Sequence, residues 1–129
     1  MRKTLIITER FSSAHFYNQP KWSKKQNLEK FGKCFTEHGH GHNYRLEVAF
    51  SEKAGELEDL QHAVRVVVGL LDHQHLNFVI PEFKTTIPTT ENIGNYLLAK
   101  LKMATRAESI VSLKLYEMDD LWVEIQNSV

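Results

Sequence analysis

The sequence predicts an α+β domain in which a four-stranded antiparallel sheet carries two helices on one face. Three observations indicate this class: apolar residues alternate near both ends of the chain, two amphipathic segments lie between them, and Asp119-Asp120 supplies a turn. Hairpins at both ends with helices grouped in the middle are typical of a two-layer α+β fold. A sheet this small leaves open edges, so we expect the chain to form an oligomer.

Composition limits the classes of function. The 129 residues contain 42% hydrophobic residues, enough for one core, and we expect a single domain over 1–129. Sixteen basic residues balance sixteen acidic ones, which argues against a nucleic-acid partner. The N-terminal segment has only three consecutive apolar residues, which argues against a membrane partner. Cys34 is the only cysteine, so a reducing, cytoplasmic location is expected.

Two strands are predicted in the first half of the chain, where inward positions occur at every second residue. On the first strand the residues sharing a face are Leu5, Ile7, Phe11 and His15. On the second strand they are His40, His42, Tyr44, Leu46, Val48 and Phe50. The stretch from Tyr17 to Thr36 is rich in Lys, Gln and Asn without clear periodicity, and we predict a long loop there.

Two helices and a hairpin are predicted in the second half. The first helix has an apolar stripe at steps of three and four: Leu57, Leu60, Val64, Val67 and Leu71. The second follows Pro88, with Thr89 or Thr90 as its cap and Glu91 near the positive end of its dipole. Its stripe is Ile93, Tyr96, Leu97, Leu101 and Ala104. In the hairpin the inward residues are Val111, Leu113, Leu115 and Glu117, followed by Leu121, Val123 and Ile125.

A histidine cluster at the start of the second strand predicts a metal site. His40 and His42 are two residues apart on a strand and therefore point to the same side. His15, at the far end of the neighbouring strand, would supply a third imidazole and leave the fourth position open, as in catalytic zinc sites. His38 could replace one of the pair by spacing alone, but the other two lead directly into the buried row. The alternative is an exposed histidine-rich loop without a metal.

Two further features indicate chemistry. Asp72 and His73 are adjacent, and a carboxylate can orient an imidazole for proton transfer, although Asp-His is also a common surface pair. Glu117 shares the apolar face of its strand, so its carboxylate needs a partner. A guanidine-like ligand edge would satisfy it through two parallel hydrogen bonds; an internal partner such as Arg45 and simple exposure at the strand end are the alternatives.

These residues together resemble the 6-pyruvoyl-tetrahydropterin synthase and 6-carboxy-tetrahydropterin synthase family over nearly the whole chain. The motifs that carry the resemblance are Phe11-Ser12-Ser13-Ala14-His15, Phe31-Gly32-Lys33-Cys34, His40-Gly41-His42-Asn43-Tyr44, Leu71-Asp72-His73, Pro88-Thr89-Thr90-Glu91-Asn92 and Leu115-Tyr116-Glu117.

The resemblance implies a role for each site residue. It implies that His15, His40 and His42 bind zinc and that Cys34 is the catalytic base. It also implies that Asp72 and His73 complete the proton-transfer set. The residues that resemble the pterin anchors are Glu117, Glu91, Thr89 and Thr90.

The resemblance also implies the assembly and the reaction. The family's tunnelling fold closes a barrel by oligomerisation, with two trimers stacked as a homohexamer and the sites between subunits. The implied reaction converts 7,8-dihydroneopterin triphosphate to 6-pyruvoyl-tetrahydropterin with elimination of triphosphate. Nickel, copper or iron could replace zinc at three imidazoles.

The spacing of the cysteine leaves alternatives for the product. Five residues separate Cys34 from His40, which resembles the 6-pyruvoyl type, whereas three separate it from His38, as in the 6-carboxy type of the queuosine pathway. Some relatives use a glutamate near the position of Glu37 in place of the cysteine, which leaves a 6-hydroxymethyl product open. A non-catalytic pterin-binding relative and an unrelated zinc hydrolase are further alternatives, the latter without the helical His-Glu motif that such enzymes use.

Overall fold

The computed structural model describes residues 2–36 and 38–128. Within these ranges, five strands form one sheet in the order β3-β1-β2-β4-β5. The strands are β1 (Thr4–His15), β2 (His40–Ser51), β3 (Gln74–His75), β4 (Ile110–Met118) and β5 (Leu121–Gln126). The α-helices are α1 (Lys24–Phe31), α2 (Leu57–Gly69), α3 (Leu76–Val79) and α4 (Thr90–Ala104). The predicted α+β class is confirmed.

The long antiparallel pair β1 and β2 forms the centre of the sheet. Its register runs without interruption from Thr4 opposite Ser51 to His15 opposite His40. The predicted inward face of β1 is confirmed at Ile7, Phe11 and His15, which are buried. Two candidate metal ligands therefore lie opposite each other at the end of this ladder.

The prediction of a four-stranded, fully antiparallel sheet is wrong in one respect. β3 is a fifth strand of only two residues, and it pairs in parallel with β1 through Ser13 opposite Gln74 and Ala14 opposite His75. Two residues cannot show an alternation, so no sequence pattern marks this strand. It nevertheless fixes the segment after α2 beside the end of β1.

The long loop predicted from Tyr17 to Thr36 is also wrong, because α1 lies within it. Ser23 and Gln26 form a reciprocal capping box at its start, a signal that the sequence does contain. The helix has eight residues and almost no apolar stripe, and the only residue it buries is Asn27. Periodicity therefore could not reveal it.

Four residues predicted to face inward are exposed: Leu57, Ala104, Val111 and Leu121. Val111 is bypassed by a β-bulge, since Ala49 pairs with Ser112 and Phe50 pairs with Ile110. Ile110 consequently takes the buried position, and Val111 is 39% exposed. In the first turn of α2, Leu57 is likewise exposed, whereas the rest of its predicted stripe is buried.

The α4 helix begins where the sequence predicts. The Thr89 hydroxyl accepts a hydrogen bond from the Asn92 N–H at 3.1 Å, which caps the helix. Gly94 lets the helix approach β5 closely, because a Cβ there would lie 2.9 Å from Ile125 Cδ1. This contact packs α4 against β5. In the described ranges, no helix has the length and apolar character needed to cross a bilayer.

The Asn27 side chain organises the segment before Cys34. Its carboxamide accepts from the Gln19 N–H at 2.6 Å and donates to the carbonyls of Gln19 and Ser23, both at 3.1 Å. Further along, the Tyr17 N–H donates to the Cys34 carbonyl at 2.7 Å. Segment 17–34 is thus closed at both ends by polar contacts rather than by a core.

We predict that Asn27→Ala lowers the free energy of unfolding by about 2 kcal/mol, because it removes the hydrogen bonds of a buried side chain and leaves the part-buried Gln19 N–H without a partner. The exposed Lys25→Ala on the same helix should change it by less than about 0.5 kcal/mol. Chemical denaturation measures both. Since Cys34 is the only cysteine, its alkylation rate also reports opening of the segment and should rise in the Asn27 variant only. Equal stability of the two variants would contradict the organising role of Asn27.

Candidate active site

Four side chains converge at one end of the sheet. His15 ends β1, His40 and His42 begin β2, and Glu117 lies near the end of β4. Each offers one nitrogen or oxygen, and these four atoms all lie within 4.8 Å of one another. The predicted trio of histidines is therefore brought together, with a carboxylate added.

The distances within this cluster suit a shared cation. His15 Nε2 lies 3.1 Å from His40 Nε2, and His42 Nε2 lies 2.9 Å from Glu117 Oε1. Despite that short distance, His42 Nε2 is buried without a hydrogen bond of acceptable geometry. An unsatisfied imidazole nitrogen beside two others and a carboxylate is the donor set that Zn²⁺ prefers. The residues present therefore fit a metal ion.

His15 is held in the form that binds metals. Its side chain is fully buried, and its Nδ1 lies 3.2 Å from the Tyr44 hydroxyl, which leaves Nε2 facing the cluster. Burial, with a smaller contribution from His40 and His42, lowers the pKa of His15 to about 3. Burial and the neighbouring His42 also lower the pKa of His40. Burial therefore favours the neutral form of His15 and His40, which is the form that binds metals.

Glu117 is partnered from two sides. Its carboxylate is only 8% exposed, and its Oε2 accepts a hydrogen bond from the Thr90 hydroxyl at 2.8 Å. The proposed internal partner Arg45 is wrong, because its guanidinium lies 3.9 Å from the centre of the Tyr116 ring. Arg45 also lies near the carboxylate of Glu47. Exposure at the strand end is excluded as well, since the carboxylate is buried.

The remaining predicted anchors occupy different positions. Thr90 is buried and holds Glu117, whereas the Thr89 hydroxyl is engaged in the α4 cap. Glu91 is exposed in the first helical turn. Of the three, only Thr90 forms a hydrogen bond with a residue of the cluster. Roles for Thr89 and Glu91 in binding a pterin stay predictions.

Cys34 is linked to the cluster through Tyr17, a residue that the sequence analysis missed. The Tyr17 N–H binds the Cys34 carbonyl, and the Tyr17 ring lies 5.3 Å from the His15 ring, measured between centroids. Burial, followed by the charges of Glu117 and Cys34, raises the pKa of the Tyr17 hydroxyl to about 12. Tyr17 therefore lies between the candidate base and the candidate metal ligands. Its position two residues after His15 was the sequence signal that could have identified Tyr17 as a site residue.

Asp72 and His73 form an ordered pair away from the buried cluster. Asp72 Oδ2 lies 3.0 Å from His73 Nδ1, and Asp72 Oδ1 accepts from the Ser12 N–H at 2.9 Å. That backbone hydrogen bond is the main cause of the lowered pKa of Asp72. His73 has a positive φ of 60°, donates its N–H to the Ser12 carbonyl, and exposes 83% of its side chain. The recorded contacts tie this pair to β1.

An open groove connects the two groups of residues. It has a volume of about 370 Å³ and is lined by the ends of β1 and β2 and by residues 73–75. His42 and His73 both line it.

Comparison with known proteins identifies the family. Residues 4–128 match the family model described as 6-pyruvoyl tetrahydropterin synthase. The chain belongs to this family. Its relatives are named as tetrahydropterin synthases, which are lyases, so the chain is an enzyme of that class.

Individual relatives of this synthase family match most of the chain. A Drosophila melanogaster protein named 6-pyruvoyl tetrahydrobiopterin synthase is 33% identical over 122 residues, covering 88% of this chain and 73% of the relative. The solved Caenorhabditis elegans 6-pyruvoyl tetrahydropterin synthase structure has a TM-score of 0.92 at 29% identity, covering 99% of this chain and 97% of the other. A provisionally named 6-carboxy-5,6,7,8-tetrahydropterin synthase of Archaeoglobus fulgidus is 34% identical over 93 residues, covering 67% of this chain and 75% of the relative.

The sequence left open which histidines bind the metal and whether Cys34 or Glu37 is the base, and the structure bears only on the first question. Of the three clustered histidines, the structure brings His40 and His42 to the candidate metal group, and His38 is exposed outside it. Glu37, the alternative base, lies outside the described residues. The choice between Cys34 and Glu37 therefore stays with experiment.

The buried His15 predicts how stability depends on pH in the metal-free protein. Its folded pKa of about 3 lies below its ordinary value of 6.5, so the unfolded chain binds a proton more readily. Stability from this group is complete above pH 6.5 and is lost as pH falls toward 3, by up to about 1.4 kcal/mol per pH unit. Chemical denaturation between pH 6 and 5 should show this slope.

The matched variants are His15→Gln and His62→Gln, the latter exposed on α2. The first should reduce the slope by nearly one proton, since the titrating group is gone, and the second should leave it unchanged. An unchanged slope in His15→Gln would show that the imidazole is not held neutral by burial.

Proposed function

We propose that this protein is a zinc-dependent synthase that converts 7,8-dihydroneopterin triphosphate to 6-pyruvoyl-tetrahydropterin with elimination of triphosphate. The observation that carries the proposal is the convergence of His15, His40, His42 and Glu117 in a chain of this family. Three imidazoles beside a reaction groove are the usual ligands of catalytic zinc.

In this proposal the three histidines hold Zn²⁺ and Glu117 binds the pterin ring. When bound, the metal would act as a Lewis acid on the side-chain hydroxyls and make the adjacent C–H bonds more acidic. The Glu117 carboxylate can accept two parallel N–H bonds from the guanidine-like edge of a pterin. Thr90 holds one of its oxygens at 2.8 Å and so fixes the orientation of the carboxylate.

Proton transfer is assigned to Cys34 with Asp72 and His73. Cys34 would remove a proton from the propyl side chain, and the other two would relay protons to the ring and to the leaving group. The ring is reduced at the expense of the side chain, so no redox cofactor enters the balance. Because His73 is exposed and tied to β1, we propose that this pair serves the site of a neighbouring subunit.

The assembly proposed is the family's homohexamer, a dimer of trimers in which sheets join as a barrel. The sheet offers surfaces for this, since Trp122 on the edge strand β5 and Ile6 on β1 are about half exposed. Exposed apolar residues on a sheet with open edges favour pairing with other copies. Site and assembly would then be coupled.

The register of β2 favours the 6-pyruvoyl product. Because His40 and His42 are the cluster members, five residues separate Cys34 from the first ligand, as the 6-pyruvoyl spacing requires. The similarity to the Archaeoglobus relative supports a second candidate, a 6-carboxy-tetrahydropterin synthase acting on the same substrate. Product analysis separates the two.

The direct test is incubation of the zinc-loaded protein with 7,8-dihydroneopterin triphosphate, followed by mass spectrometry of the products. A 6-pyruvoyl pterin with triphosphate supports the proposal, and a 6-carboxy pterin with acetaldehyde selects the second candidate. A 6-hydroxymethyl pterin would indicate altered side-chain cleavage. Bound but unconverted pterin would indicate a binding protein.

We predict that Cys34→Ala abolishes turnover, by at least about a hundredfold in kcat, while keeping bound zinc, because the base is not a ligand. His40→Ala should lose both turnover and zinc. Metal content by atomic emission and steady-state kinetics measure the two effects. Normal turnover of Cys34→Ala would make Glu37 the leading base.

We further predict that Glu117→Gln weakens pterin binding by about tenfold or more, because a neutral amide cannot accept both N–H bonds. Fluorescence titration with 7,8-dihydroneopterin measures the Kd. Glu124→Gln, on exposed β5, is the matched control and should bind normally. Loss of zinc with unchanged pterin affinity would instead make Glu117 a metal ligand.

A further inference from the structure

The segment between Cys34 and His40 touches the end of β1 at Gly39. This glycine has a positive φ of 75°, which side chains rarely adopt. A Cβ at this position would lie 2.5 Å from the His15 carbonyl oxygen and 2.8 Å from His75 Nε2. No real Cβ tolerates either contact, so the backbone of residue 39 is seated between the His15 backbone and the His75 ring.

The His75 imidazole is itself held from below. Its ring centroid lies 4.4 Å from that of Phe78 and 5.7 Å from that of Phe16. Both ring nitrogens are excluded from solvent, and neither forms a hydrogen bond with good distance and angle. The backbone of His38 lies close enough to affect the pKa of the ring. The side chain is thus packed in place under the segment that leads into β2.

A polar clamp fixes the same region to the residue after His15. The Asn77 carboxamide accepts from the Phe16 N–H and donates to the Phe16 carbonyl, both at 2.9 Å. Together with the pairing of Ala14 and His75, this contact fixes β3 and α3 against the end of β1. The His75 ring therefore rests on a support that is fixed to the residues on either side of His15, one candidate ligand.

We propose that His75 is a positioning residue of the metal centre, whose imidazole, seated against Gly39, sets the approach of His40 to His15. The contact sits one residue before His40 and directly on the His15 backbone, the two residues whose Nε2 atoms lie 3.1 Å apart. A shift of the segment at Gly39 would therefore change the distance between two ligands. This inference rests on the metal-binding part of the proposed function.

The test measures zinc affinity of the folded protein by competition with a chromophoric chelator. His75→Ala removes the support and should weaken zinc binding about tenfold to a hundredfold, the usual effect of losing a group that orients a ligand. His75→Gln, whose amide nitrogen can reach the position of Nε2, should restore much of the affinity. Gly39→Ala perturbs the same contact from the other side and should also weaken binding.

Matched controls and a second readout separate positioning from simple packing. His62→Ala removes an exposed histidine, and Gly69→Ala adds a Cβ that meets no atom within 4 Å. Both should bind zinc as the wild type does. In the cobalt(II)-loaded protein, the visible spectrum should change in His75→Ala and Gly39→Ala, since that spectrum reports ligand geometry, and should be unchanged in the controls.

Two results would overturn the inference, and they are distinguishable. If folded His75→Ala and Gly39→Ala bind zinc within about twofold of the wild type, His75 only packs, and the proposed function is unaffected. If the wild-type protein itself binds no zinc, the proposed function fails and the inference fails with it. Should His75→Ala not fold, Gly39→Ala decides the question, because its added Cβ would meet His75 Nε2.

Discussion

The twelve-residue pairing of β1 with β2 is the constraint on which the site depends. Its register places His15 opposite His40, and the two-residue repeat of a strand then directs His42 to the same side. A slip of one residue would turn every buried side chain of one strand toward solvent, so the core holds the register. The hydrophobic core that includes Leu46 and Val48 therefore also aligns two imidazoles at the far end of the β1–β2 pair.

Much of this arrangement follows from the sequence because it is carried by long periodic elements. The alternation from His40 to Phe50 predicts both the strand and the side on which the histidines lie, and the Thr89 cap predicts the start of α4. The metal-ligand trio therefore required only parity and one strand pairing. Residue roles beyond this come from the family resemblance, and a single domain over 1–129 comes from length and composition; both stay predictions.

The features that sequence reasoning missed lack periodicity or depend on contacts between distant segments. The bulge that exposes Val111 arises between two strands and leaves no trace in either one alone. Helix α1 depends on a capping box and on the buried Asn27 rather than on an apolar stripe. The contact of Gly39 with His75 joins residues 36 positions apart, and no local pattern indicates it. Rules that describe single helices or strands cannot predict contacts between residues this far apart in the sequence.

At His73, the backbone conformation favours glycine, whereas the proposed chemistry needs an imidazole. A non-glycine residue with φ of 60° costs about 1 kcal/mol or more, and two contacts hold it there: its N–H donates to the Ser12 carbonyl, and the neighbouring Asp72 carboxylate accepts from the Ser12 N–H. Glycine would relieve this cost but would remove the exposed imidazole that the proposed chemistry needs. The backbone of His73 is thus strained, although its side chain makes few contacts within its own chain. A neighbouring copy would use this imidazole. In such an assembly, the conformational cost of His73 would fall on one chain, and its imidazole would serve catalysis in another.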